Sequence, residues 1–203
     1  MTKKALFVID TQAELVSIPS TAMPHGARVC EVGGQILDRA RRVPKTELEI
    51  IIVQHYEEAS DPNATLIRGS KAWELALPPR EGAENERVVE KTTGESRVMA
   101  TNSGVYLTYG IGDTFESNPS LAHDLKSRGV TTIVAFGVQS ECCVRATCRG
   151  ALKAGFDVVL LQGAHSTYNK AETGQSAEDI EKEIEHELQS IGVQIVPWDQ
   201  YAL

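Results

Sequence analysis

The chain is short of aromatic residues, at 5% of 203 residues, and holds only four cysteines. It has no excess of positive charge; the formal net charge is −8. Each shortage excludes something. Four cysteines in a chain of this length are too few for a disulfide scaffold, so free thiols in a reducing, cytoplasmic setting are expected. An acidic balance argues against nucleic acid and against an anionic membrane surface as partners. No apolar run approaches the ~18 residues of a transmembrane helix. Met1-Thr2-Lys3-Lys4 leads directly into a strand, so no targeting segment is expected. No G-x-G-x-x-G follows that strand, which argues against a dinucleotide-dependent oxidoreductase. The chain shows no internal repeat, low-complexity tract or dividing linker, and reads as one domain over residues 1–203.

What is present begins with Thr131–Ala151, TTIVAFGVQSECCVRATCRGA. Its first six residues are β-branched or apolar, as in a strand covered on both faces. Gly137 ends that run, and Ser140 stands where a helix N-cap stands. A helix from Glu141 to about Ala154, stopped by Gly155, follows from the spacing of Val144, Ala146, Cys148 and Ala151. Cys142 and Cys143 then fall in its first turn, where free N–H groups and the helix dipole favour a thiolate. Such settings lower a thiol pKa from about 8.5 into roughly 3.5–7.5. The plainer reading is that a free cysteine is a small apolar filler, and Cys148 is read that way. Neighbours on a helix point about 100° apart, so only one of Cys142 and Cys143 faces the strand ends. Periodicity does not say which.

Five further strands are predicted at Lys4–Asp10, Glu49–Gln54, Arg87–Lys91, Asp157–Leu161 and Val193–Val196. Helices are predicted over Gly26–Val43, Pro119–Arg128 and from Ser176 to Gly192, the last opened by a Ser-x-x-Asp capping pattern. The arginines at 39, 41 and 42 read as a solvated helix end. Gly163–Gly174 reads as a loop holding His165 and Tyr168. Residues 92–118 read as a loop or lid with one short strand near Val105-Tyr106-Leu107. Alternating strands and helices predict a three-layer α/β/α, Rossmann-like, mostly parallel six-stranded sheet, with ligands at the C-terminal strand ends. Asp10, Lys91 and Cys143 converge on that rim as a base, a cation and a nucleophile. Singly, an Asp there is usually a turn residue and a Lys a solvated group.

Gly137-Val138-Gln139-Ser140-Glu141-Cys142-Cys143-Val144-Arg145-Ala146-Thr147 resembles the G-V-x-[ST]-x-x-C-V-x-x-T signature of the isochorismatase-like cysteine hydrolases. Val8-Ile9-Asp10-Thr11-Gln12, Val89-Glu90-Lys91 and Gly155-Phe156-Asp157-Val158 are similar to that family's other motifs, in the same order. The resemblance implies that Cys143 rather than Cys142 is the nucleophile, Asp10 the general base and Lys91 the group holding both. It implies backbone N–H groups of Gln139 and Cys143 as an oxyanion hole, and a cis peptide at Val138–Gln139. Gln12, His55, Trp73 and Phe115 are the expected substrate contacts. The family's nicotinamidase branch carries Asp-x-His after the second strand. Here the residues are His55-Tyr56-Glu57, and no zinc or other cofactor is expected. Asp113-Thr114-Phe115 comes later than the family's equivalent, so residues 95–112 look like an insertion over the pocket. The expected function is hydrolysis of a C–N bond, amide or ureide, in a small molecule through an acyl-Cys143 intermediate. The alternatives are vinyl-ether hydrolysis using Asp10, or a non-catalytic binding protein on the same fold. The resemblance further implies a homodimer or homotetramer.

Overall fold

Every strand of the main sheet runs in the same direction, and its residues alternate between two hydrophobic layers. A computed structural model describes residues 3–92, 97–101, 104–108 and 112–203. Six strands form the sheet: β1 (Lys3–Ile9), β2 (Leu48–Tyr56), β3 (Glu86–Thr92), β6 (Val130–Val138), β7 (Asp157–Ser166) and β8 (Gln194–Pro197). Their spatial order is β3-β2-β1-β6-β7-β8, all parallel. The order reverses between β1 and β6, which makes their C-terminal ends the switch point where such sheets hold ligands. This is the expected three-layer α/β/α architecture.

The apolar runs read from the sequence are buried on both faces. Phe7, Ile9, Ile51, Val53, Ile133, Ala135, Val158 and Leu160 point to one layer. That layer is closed by helices α3 (Thr114–Ser117), α4 (Leu121–Ser127), α5 (Arg145–Lys153) and α6 (Ala177–Ser190). Leu6, Val8, Ile50, Ile52, Val134, Phe136, Val159 and Leu161 point the other way. They meet Ile36, Leu37 and Ala40 of α2 (Gly26–Ala40), with Trp198, Tyr201 and Leu203 of the C-terminal tail packed alongside. A short helix α1 (Ala13–Val16), not foreseen in the sequence, follows β1.

Four local expectations are corrected. The arginines after α2 are not simply a solvated end. Arg41 pairs with the buried Glu86, and Arg39 donates to the carbonyls of Trp198 and Tyr201, tying the tail to the helix. His165 lies within β7 and not in a loop. A register shift after Ala135 lets the strand continue past Gly163, pairing Gly137 with His165 and Val138 with Ser166. Gly163, at φ 81°, looked like a stop but sits inside the strand. The third correction concerns 92–118: two strands, β4 (Arg97–Thr101) and β5 (Gly104–Thr108), form an antiparallel hairpin where one strand was expected. The rest of the expected 95–112 insertion, up to residue 111, lies outside the described residues.

The fourth correction is at Ser140. Residues Ser140–Val144 form a π-helical turn ahead of α5, and Gln139 takes the N-cap position. Ser140 is buried and makes no cap; its hydroxyl lies 2.8 Å from His165 Nδ1. Ser176, by contrast, forms a full capping box with Asp179 at the start of α6, as its pattern predicted.

Candidate active site

Three strand ends bring together the three groups singled out in the sequence. Asp10 follows β1, Lys91 lies near the end of β3, and Cys143 stands in the π-turn after β6. Lys91 must reach past the intervening β2, across two inter-strand spacings of about 4.8 Å each. Its extended four-carbon stem covers most of that distance, and the Asp10 and Cys143 side chains close the rest. Its ammonium nitrogen lies 2.7 Å from Asp10 Oδ2 and 3.2 Å from Cys143 Sγ. Both charged residues are only 1% exposed, which makes this a desolvated cluster and not a surface ion pair.

The electrostatics differ from the thiolate expected of a helix start. Burial pushes the Cys143 thiol up, and the facing Asp10 carboxylate pushes it further, while Lys91 offsets only part. At rest the group is a thiol. Burial would lower the Lys91 ammonium, but Asp10 and Cys143 outweigh it, so Lys91 stays charged. The resting state is therefore carboxylate, ammonium and thiol, with the proton on sulfur beside a base ready to take it. The dipole argument failed because desolvation and the facing Asp10 carboxylate outweigh the helix start at the sulfur. Cys142 is exposed and Cys148 is buried, its thiol pushed up to about 12 by burial. Cys148 is thus the apolar filler it was read as.

Backbone geometry at the site is unusual in ways the sequence did not announce. Asp10 has φ 50°, a left-handed conformation that aspartate tolerates better than most residues. Gly137 has φ 128°, and a Cβ there would sit 2.1 Å from the Ile9 carbonyl oxygen. Only glycine lets β6 approach β1 this closely. The Val138–Gln139 peptide is cis. Beyond it, the Gln139 carbonyl accepts from the N–H groups of Cys142 and Val144 but not from that of Cys143. Gly112, missed in the sequence, is buried against the cluster. A Cβ on it would lie 2.6 Å from Cys143 Sγ and 2.9 Å from Lys91 Nζ. The chain returning from the hairpin thus roofs the sulfur, and any side chain there would collide with it.

The expected substrate contacts divide. His55 pairs in register with Lys91, and burial together with the Lys91 charge pushes its imidazole below the ordinary value. It is neutral near pH 7, and its buried Nδ1 has no hydrogen-bond partner among the described residues. The buried indole Nε1 of Trp73 is also without one. The Gln12 amide, however, is spent on main chain. Its nitrogen donates to the carbonyls of His55 and Trp73, and its oxygen accepts from the His55 N–H. Gln12 is a clamp holding these two residues together, with nothing left to offer a ligand. Phe115 is also corrected: it stacks on Phe7 at 5.6 Å and lies tilted against Phe156 at 5.9 Å, inside the core. Its α3 is pinned by Asp113, whose side chain accepts from the Phe115 N–H.

Unpaired buried polar atoms are rare in folded proteins, and they gather here. Thr11 Oγ1, His55 Nδ1, Trp73 Nε1, Glu141 Oε2 and Thr167 Oγ1 lack hydrogen-bond partners among the described residues, whereas Asp10 is taken up by Lys91. Most of them lie at or just beyond the C-terminal ends of β1, β2, β6 and β7, and Trp73 is bound to the β2 end through Gln12. A small polar molecule entering this rim meets several unsatisfied groups beside the sulfur. Among the described residues no three His, Cys, Asp or Glu side chains are placed to hold a metal ion.

Residues 4–187 match the isochorismatase domain family. A streptothricin hydrolase of Streptomyces noursei is 36% identical over 166 residues, covering 82% of this chain and 55% of that protein. The chain spans about half the length of the curated relatives it matches. A solved isochorismatase from Pseudomonas putida superposes with TM-score 0.76 at 22% identity, over 98% of this chain and 90% of that one. N-carbamoylsarcosine amidase from Thermoplasma acidophilum gives 0.71 at 17% identity, over 99% of each chain. These last two likenesses establish the fold.

Proposed function

The chain belongs to the isochorismatase domain family, and from that premise we propose that it is a hydrolase cleaving a C–N bond, amide or ureide, in a small molecule through a covalent Cys143 intermediate. The observation that carries this reading is the buried Lys91 ammonium, 2.7 Å from Asp10 and 3.2 Å from Cys143 Sγ. Such a cluster stores a proton on sulfur and a cation beside the charge that appears when the proton leaves. The relatives named streptothricin hydrolase and N-carbamoylsarcosine amidase support hydrolysis, and the latter an amide-type bond.

The steps follow from the charges. A substrate carbonyl carbon approaches Sγ, Asp10 takes the thiol proton, and Lys91 stabilises the nascent thiolate. Sulfur adds to the carbonyl, and the oxyanion is held by the backbone N–H groups of Gln139 and Cys143. Asp10 gives its proton to the leaving nitrogen, the C–N bond breaks, and a thioester on Cys143 remains. Water, deprotonated by Asp10, attacks the thioester. The acid product departs and the proton returns to sulfur. His55 and Trp73 offer their free ring nitrogens to the polar part of the substrate.

The test is a panel of small amides and ureides, followed by intact-mass trapping of the enzyme during turnover. A covalent adduct mapped to Cys143, absent in Cys143→Ala together with turnover, is the expected result. Turnover retained by Cys143→Ala without an adduct would move the chemistry to ether cleavage by Asp10. No turnover in any assay and an unreactive Cys143 would leave a binding protein.

A further inference from the structure

Ser140 was expected to cap a helix, and what it does instead defines a second chain of polar contacts behind the nucleophile turn. Its hydroxyl meets His165 Nδ1 at 2.8 Å, and His165 Nε2 meets Glu185 Oε1 at 3.2 Å. Ser140 and His165 are both fully buried. Glu185 is held in turn by Gln162, whose amide donates to Oε2 at 2.7 Å. We infer that Ser140, His165 and Glu185 form a positioning relay that sets the turn carrying Cys143, with His165 donating from Nε2 to Glu185 and accepting at Nδ1 from Ser140.

The directions of the bonds follow from what each group has to offer. Burial would raise the Glu185 carboxyl, but its bonds from His165 and Gln162 and the nearby Arg28 charge bring it below the ordinary value. It also lines a surface cavity of about 280 Å³ with Lys182 and His186, where water reaches it. An ionised carboxylate only accepts, so the proton must be on His165 Nε2. Nδ1 is left to accept from the Ser140 hydroxyl, 2.8 Å away. Ser140 immediately follows the cis peptide and stands three residues before Cys143. Its hydroxyl orientation is therefore fixed from α6, across β7, to the turn.

The neighbouring groups make their hydrogen bonds outside this chain. Arg28 of α2 donates to the main-chain carbonyl of His165 and to Glu181, and Ser166 also donates to Glu181. Glu181 is thus satisfied separately and leaves Glu185 to the imidazole. His165 faces one carboxylate through Nε2 and one hydroxyl through Nδ1.

The relay rests on the reading above only in taking Cys143 as the group to be placed. Its test does not need a substrate. In ¹⁵N-histidine spectra of the whole protein, His165 should show a protonated Nε2 and a bare Nδ1. Iodoacetamide alkylation at Cys143, followed by peptide mass mapping, should slow about tenfold in Ser140→Ala and in Glu185→Ala. Glu185→Gln keeps one of the two acceptors and should fall between Glu185→Ala and the wild type. Where a turnover substrate is in hand, these variants should lose kcat with KM little changed. A doubly protonated or Nδ1–H imidazole overturns the tautomer and with it the relay. A Cys143 alkylation rate equal in all four proteins, zero included, overturns the coupling, even if the melting temperatures fall. Failure of the hydrolase reading appears separately, as absent turnover in a wild type whose His165 spectrum and alkylation pattern hold.

Discussion

Two serines open two helical segments of this protein, and only one of them does what its neighbours in sequence suggest. Ser176 accepts from the Asp179 N–H and closes a capping box in solvent, so four consecutive residues settle its role. Ser140 has the same kind of setting, a serine after a strand and before an amphipathic run. It is drawn instead to His165, 25 residues away, and the turn after it is π-helical. The difference teaches where local rules hold. A cap wins when the alternative partner is water. It loses when a buried imidazole would otherwise go unpaired, because an unsatisfied buried group costs about 1–3 kcal/mol against the ~1 kcal/mol of a cap.

The sharpest contrast lies at the third residue after each serine. Cys143→Ala should lower turnover at least about a thousandfold in a steady-state assay, since a missing nucleophile removes the covalent route. Asp179→Asn, at the matching position in α6, should leave turnover unchanged and only weaken the cap. Comparable losses in the two variants would break the distinction between a working turn and a structural one.

The glycines ahead of each serine give the next largest effect. Gly137→Ala should destabilise by about 3 kcal/mol or more in denaturant unfolding, because strain at φ 128° adds to a Cβ driven into the Ile9 carbonyl. Gly174→Ala has open space around it and φ 72°, so only the left-handed penalty of about 1–2 kcal/mol applies. Replacing the serines themselves is milder. Ser176→Ala should cost about 0.5–2 kcal/mol with no change in turnover. Ser140→Ala should cost a similar amount in stability yet slow the reaction, a split readable by pairing thermal melts with kinetics.

The smallest effect is one of pH. Bonds from Ser176, side chain first and then backbone, hold the Asp179 carboxyl below the ordinary aspartate value. Its folded pKa is depressed, so its support is complete above about pH 4, the unfolded value, and fades as pH falls through the folded one. Hydrogen exchange at the first amides of α6 should therefore quicken in acid before exchange in β6 does. Equal onset in both segments would make the cap irrelevant to the helix.

How much was legible beforehand follows the same division. The six strands could be read because Leu6–Ile9, Ile50–Val53 and Ile133–Phe136 are apolar on both faces, a pattern that only a covered parallel sheet satisfies. Asp10, Lys91 and the cysteine pair could be picked out because strand ends in such a sheet converge, and the resemblance to the isochorismatase-like signature chose Cys143 from that pair. Three features resisted. Gln12 and Phe115 sit at the right places in the chain, but their side chains are claimed by the His55–Trp73 backbone and by Phe7 and Phe156. His165 was lost to a glycine that ends most strands and bends this one. The protonated thiol was missed because desolvation beside Asp10, a property of the folded whole, outweighs the helix dipole.

Gly112 gives the roof of the site a fixed foot. One backbone atom cluster stands against the sulfur, with room for a hydrogen and nothing larger. The sulfur and the Lys91 ammonium are thus bounded by a residue with no side chain to vary, and a change at 112 would be read first as a displacement of both.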